Sequence, residues 1–177
     1  ADTATSTITV TSLAAVNAGP DKAILKGQRI QLSGTATGQG VSYSWSPPLY
    51  IDDIFTTRPF INPPADISYI LTAVSGCNTV SDTMFVKVFN DIFIPNAFTP
   101  DGNGTNDTWN ISALEAYPGF ELFIFNRYGE LVFKTNKTPV AWNGICKGKP
   151  CMNGVYTYVI KTGNDREPIQ GTVMIIR

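Results

Sequence analysis

No strand-forming run in this chain lasts long before a turn residue breaks it. Residues 5–10, 23–25, 29–33, 42–45, 69–74 and 83–88 are short runs rich in β-branched and aromatic side chains, with Gly, Pro, Asn or Asp between them. Such runs suit a pleated, half-buried surface, and the breakers between them suit tight turns. The supply of breakers is ample, with 15 Gly and 12 Pro. Many short strands with frequent turn signals predict an all-β chain of sandwich type. Trp45 is expected as a core anchor between two sheets.

What the chain lacks narrows its function. It has no histidine. That removes Ser-His and Cys-His nucleophile pairs, imidazole bases and histidine metal sites. Three cysteines do not complete an ordinary tetrahedral zinc site. An enzyme built from this sequence would have to run on carboxylates, and these are sparse and lie mostly in turn-like contexts. The chain therefore reads as non-catalytic, with no cofactor required. A net charge of −1 gives no electrostatic footprint for nucleic acid or an anionic membrane. No apolar run is long enough to span a bilayer, so no membrane insertion is expected. Residues 1–4 (ADTA) carry neither a basic region nor an apolar stretch, so they do not read as a signal peptide. The chain reads as a monomeric fragment of a longer protein.

Residues 93–107, FIPNAFTPDGNGTND, are the most distinctive segment. An apolar entry (Phe93, Ile94, Phe98) leads into a run of oxygen-bearing side chains. Asp101, Asn103, Thr105 and Asp107 alternate, and Gly102 and Gly104 permit a tight turn. Calcium takes six to eight oxygens from such alternate positions, which makes these four residues a candidate Ca²⁺ set. The match to an EF-hand loop is partial, since Thr stands at the fifth position, Asn at the sixth, and no Glu at the twelfth. The other reading is an Asx-turn, in which the same side chains bond the loop's own backbone. Both readings stand at the level of sequence.

Beyond this segment the pattern is again β. Residues 121–125 and 130–133 flank the turn Asn126-Arg127-Tyr128-Gly129 and predict a hairpin. Residues 154–161 and 171–177 predict another, with 163–168 as its tip. The last of these strands is a candidate edge for a partner, which makes Ile175, Ile176 and Arg177 candidate contact residues. Arg127 is a further candidate, facing a carboxylate either in a partner or in its own domain. Cys146 and Cys151 bracket a Gly/Pro turn that allows the close approach a disulfide needs. A disulfide here implies an oxidising compartment. The aromatic set Phe120, Phe123, Phe125, Tyr128, Phe133, Trp142, Tyr156 and Tyr158 reads mainly as core, with a sugar-binding platform as the alternative.

A weak internal repeat suggests the boundaries. Asp2-Thr3 followed by Ile8-Thr9-Val10 parallels Asp82-Thr83 followed by Val86-Lys87-Val88. Residues 1–12 are expected to be the end of a preceding repeat or linker, 13–90 a first domain, and 91–177 a second.

Residues 17–36 (NAGPDKAILKGQRIQLSGTA), 43–48 (YSWSPP) and 67–88 (ISYILTAVSGCNTVSDTMFVKV) resemble a PKD-like or Ig-like repeat of bacterial surface proteins. In such repeats a cysteine often stands where Leu25 stands here and pairs with one matching Cys77. With that partner missing, Cys77 is expected to be an unpaired, buried small hydrophobe. The resemblance implies a spacer or adhesion module.

A second resemblance rests on four ordered segments: 93–107, then ELFIFNRYGELVF (121–133), AWNGICKGKPCMNGVYTYVI (141–160) and GTVMIIR (171–177). Together they resemble the gliding-motility-associated C-terminal domain, the type B sorting domain of the type IX secretion system. The glycine-rich part reads DGNG at 101–104, where NGDG is common in the family. The resemblance implies two consecutive Ig-like β-sandwich domains, the second a sorting signal. It implies export through the periplasm and outer membrane, to the cell surface or beyond. It also implies two partners, the type IX translocon and a PorP/SprF-type outer-membrane protein, and an adhesin-like cargo. A calcium-stabilised adhesion or glycan-binding module is the alternative.

Overall fold

Between Ile67 and Val74, Tyr69, Leu71 and Ala73 are fully buried, while Ile70 and Val74 face outward. That period of two is the pleat of a strand with one wet face, and it organises most of the chain. A computed structural model describes residues 12–163 and 167–177. The expected strand within residues 1–12 falls outside the described residues, except for Ser12, and so does the centre of the 163–168 tip. The described chain is all-β apart from one turn of 3₁₀ helix, Leu114–Ala116.

The chain divides into two compact units. The first runs through Lys22 and from Lys26 to Val88, and the second from Phe89 to Arg177 together with Ala23–Leu25. Those three residues lie in a strand that the sheet pairing places with the first unit.

The first unit contains β1 (Ala15–Asn17), β2 (Lys22–Leu25), β3 (Ile30–Gln31), β4 (Thr35–Thr37), β5 (Ser42–Ser46), β6 (Phe60–Ile61), β7 (Ile67–Val74) and β8 (Thr79–Phe89). Its main sheet has the order β2-β8-β7-β5, and β1-β4 and β3-β6 form two further pairs. Trp45 is buried, and its indole N–H donates to the Thr56 carbonyl at 2.9 Å. The ring demands a glycine beside it, because a Cβ on Gly34 would lie 2.7 Å from the indole. Cys77 departs from expectation. It is exposed at the β7–β8 turn, because the Ser75 hydroxyl accepts from the Cys77 and Asn78 amides and turns the chain before Cys77 can reach the core.

The second unit contains β9 (Ala97–Phe98), β10 (Glu121–Phe125), β11 (Leu131–Thr135), β12 (Ile145–Cys146), β13 (Lys149–Pro150), β14 (Gly154–Lys161) and β15 (Ile169–Ile175). The five-stranded sheet has the order β11-β10-β14-β15-β9, and only the β15–β9 pair in it is parallel. Leu122, Ile124, Tyr156, Tyr158, Ile160, Val173 and Ile175 are buried together with Trp109, Leu114, Val140 and Trp142. Trp142 is the hub of this core. Its ring lies 5.3 Å from both Phe98 and Tyr156, and 6.4 Å from Trp109 in an edge contact. Aromatic pairs at such offsets add to what their buried area contributes.

Candidate recognition surface of the second unit

The segment at 93–107 closes on itself. Both carboxylate oxygens of Asp107 accept backbone N–H groups, from Gly102 at 2.6 Å and Gly104 at 2.7 Å. Asp101 accepts the backbone and side-chain N–H of Asn103, and Asn103 accepts the Thr105 amide at 2.8 Å. These are Asx-type bonds, with short polar side chains standing in for absent backbone partners. Among the described residues no group of three or more acidic or cysteine side chains converges as a metal site. As arranged, Asp101, Asn103 and Asp107 bond the loop's own amides. The Thr105 hydroxyl makes no hydrogen bond among those found in the described residues.

The loop is also tied to the rest of the unit. The Thr99 amide donates to the Asn106 carbonyl at 2.9 Å, and Ala97–Phe98 just before it pairs with β15. Arg177 follows β15 and ties three segments together. Its Nε donates to the Pro100 carbonyl at 3.1 Å, Nη2 to that of Gly144 at 3.2 Å, and Nη1 to that of Cys151. A guanidinium suits this because its donors form a rigid fork. Gly144 has φ +71°, where a side chain is strained, and a Cβ would lie tightly at 3.1 Å from both Nη2 and the Pro100 ring. That is why Trp142-Asn143 is followed by a glycine.

Cys146 and Cys151 form a disulfide with Cα atoms 5.2 Å apart. It crosslinks β12 to the residue after β13, and the Cys151 amide donates to the Gly144 carbonyl at 2.8 Å. The crosslinked loop thus sits against the Arg177 junction.

The turn between β10 and β11 is braced by Asn126, not by Arg127. The Asn126 Oδ1 accepts the Tyr128 and Glu130 amides at 2.9 and 3.0 Å, and its Nδ2 donates to the Glu130 carboxylate at 2.8 Å. Arg127 lies over the adjacent Tyr128 ring, 5.0 Å from its centre, and among the described residues it has no carboxylate partner. The expected internal brace is therefore one residue earlier, because an amide both donates and accepts where a guanidinium only donates.

The candidate partner residues separate by alternation. Ile175 points into the core and is buried, so its expected role as a contact does not fit its position. Ile176 is 46% exposed. The Arg177 guanidinium is engaged by three carbonyls. Of the aromatic set, Phe120, Trp142, Tyr156 and Tyr158 are core, Phe123, Phe125 and Phe133 are half-buried, and Tyr128 is exposed. Burial raises the Tyr156 hydroxyl above its ordinary value, and that hydroxyl donates to the Met152 carbonyl at 2.9 Å. The residues that sequence reading passed over are Met152 and Val155, which are exposed beside this turn. Neither carries a motif that would have marked it.

Residues 92–175 match the family model of the CHU_C type IX secretion signal domain. No curated protein matches the chain in sequence. Among solved structures, the titin Ig tandem A164-A165 is similar at 9% identity and a TM-score of 0.44, over 94% of this chain and 97% of that one. A chimeric titin Z1Z2 is similar at 14% identity and a TM-score of 0.40, over 95% and 98%. PorZ, a surface component of the type IX secretion system of Porphyromonas gingivalis, is similar at 18% identity and a TM-score of 0.40, over 61% of this chain and 15% of that one. No helix among the described residues is long and apolar enough to cross a membrane. Residues 92–175 of this chain belong to the type IX secretion signal domain family, and the protein that carries them is exported to the cell surface or secreted.

Proposed function

We propose that the second unit is a folded address label, read at the outer membrane by the type IX translocon together with a PorP/SprF-type protein. The first unit then serves as a non-catalytic Ig-like spacer of an adhesin-like cargo. The observation that carries this reading is the family match over residues 92–175, which falls within one unit that has its own core. A sorting label needs a stable surface and no chemistry, and the absence of histidine agrees with that.

The test is a fusion of the whole chain behind a reporter that carries its own periplasmic signal. The reporter is expected on the surface or in the medium of a competent strain, and in the periplasm of a strain lacking the translocon. A fusion ending before Phe89 is expected to stay in the periplasm of both strains. Equal export of the full and shortened fusions would sink the proposal.

A further inference from the structure

Antiparallel pairing of β10 with β14 sets Phe125 opposite Thr157, so the residues after Phe125 lie beside those before Thr157. The turn carrying Arg127 and Tyr128 thereby faces the disulfide-closed loop carrying Lys147 and the Met152 that follows it. Between them runs a groove of about 450 Å³ with Val155 and Tyr156 among its lining residues. From this geometry we infer that the groove is the surface the outer-membrane partner reads, and that its occupant is a short protein segment presenting an Asp or Glu beside apolar side chains. The inference rests on the sorting function proposed above.

Two features of the groove select that occupant. The first is apolar exposure. Tyr128 is 75% exposed, Met152 79% and Val155 48%. Large apolar side chains exposed around one concavity mark an interaction site, and a flexible Met beside a rigid Tyr suits a protein partner. The second feature is charge. Arg127 and Lys147 line the groove against one carboxylate, Glu130, whose Oε2 is already engaged by Asn126. Among the described residues neither cation forms an ion pair. The groove is thus locally positive on a chain of net charge −1. Complementary potentials set orientation and speed encounter, so the segment that fits carries a carboxylate. The Asn126 bonds and the Cys146–Cys151 disulfide hold the two walls, which lets the groove meet its occupant with little loss of loop entropy.

Three variants of the full-chain reporter fusion test this in a competent strain: Arg127→Glu with Lys147→Glu, Tyr128→Ser with Met152→Ser, and Lys137→Glu as a control lying outside the groove lining. Thermal melts of the purified chains report folding. Because the altered side chains are exposed, both double variants are expected to melt like the parent. Each is expected to lose export about tenfold or more, with the reporter held in the periplasm, while Lys137→Glu is exported normally. Parental export of a folded double variant overturns the inference, as does an equal loss in Lys137→Glu. A dimer of the parent chain in sedimentation that both double variants abolish would assign the groove to self-association and overturn it as well. Failure of the unmodified fusion to be exported is a different result, and counts against the sorting function itself.

Discussion

Arg177 donates to the carbonyls of Pro100, Gly144 and Cys151, all distant from it in sequence. Each charge-assisted bond contributes more than a neutral one, though the exposed side chain lets water compete. Arg177→Ala is expected to cost about 2 kcal/mol in urea unfolding, and Arg177→Lys to recover little of it, because an ammonium cannot fork to three acceptors. An unchanged midpoint for the alanine variant would show that the junction holds without it. Asp107 makes a contrasting case. Its two oxygens hold two amides of an exposed turn, so Asp107→Ala is expected to cost about 1 kcal/mol in calcium-free buffer. Millimolar calcium that raised the melting temperature of the parent, but not of Asp101→Ala or Asp107→Ala, would reveal a bound cation that this bonding pattern does not need. The two residues also differ in legibility. The alternation of Asp101, Asn103 and Asp107 can be read from sequence, because each supplies its own acceptor to a near neighbour. The acceptors of Arg177 are backbone carbonyls, and these leave no mark on the residue types that carry them.

At the level of elements, the disulfide closes a small loop in the second unit, its cysteines separated by 5 in sequence. Removing it by Cys146→Ser with Cys151→Ser is expected to cost about 2 kcal/mol on the chain-entropy model, read as a lower urea midpoint that added reductant reproduces in the parent. The same midpoint with and without reductant would show that β12 and β13 hold the loop unaided. The strands that alternation exposes, β7, β8, β10 and β14, fall where the sequence pattern places them. The two-residue strands β9, β12 and β13 do not announce themselves, because a pair of residues has no period. The pairing of β9 is decided by a distant partner, with Ala97 opposite Met174, whereas β12 and β13 pair with each other across the turn that the disulfide closes. The groove is hidden for the same reason. Tyr128 belongs to a readable turn, but Met152 joins it only through the register of β10 against β14.

Across the whole molecule, stability should fall at both ends of the pH scale. A hydrogen bond from the Phe60 amide, helped by Arg29, lowers the Asp52 carboxyl below its ordinary 3.8. Lys87 does the same to Asp66, whose ordinary value is also 3.8, and Lys134 lowers Glu121 below 4.5. A carboxylate whose folded pKa is depressed stabilises the fold above its unfolded value. That contribution is lost as pH falls through the folded one, so melting temperature is expected to drop below these ordinary values. Tyr69 acts with the opposite sense. Burial, with Tyr50 adding to it, pushes its hydroxyl from 10 up to about 12. The unfolded chain therefore releases this proton first, and stability is lost as pH rises from about 10 towards 12. Melting scans alongside tyrosinate absorbance would check both limbs. A flat profile at acid pH would mean that the three ion pairs are screened as weak surface pairs often are.

The parallel pairing of β9 with β15 carries a further consequence. Phe98 sits opposite Ile175, and the Arg177 guanidinium reaches the Pro100 carbonyl 77 positions earlier. Contacts this distant in sequence form late, after the loop between them has closed. A chain arrested anywhere before Ile169 lacks the strand that its opening segment must join, and leaves Phe98 without its partner Ile175. The finished sheet is therefore a certificate that the second unit is whole. A machine that engages only the folded unit would leave every unfinished copy behind, with no separate proofreading step.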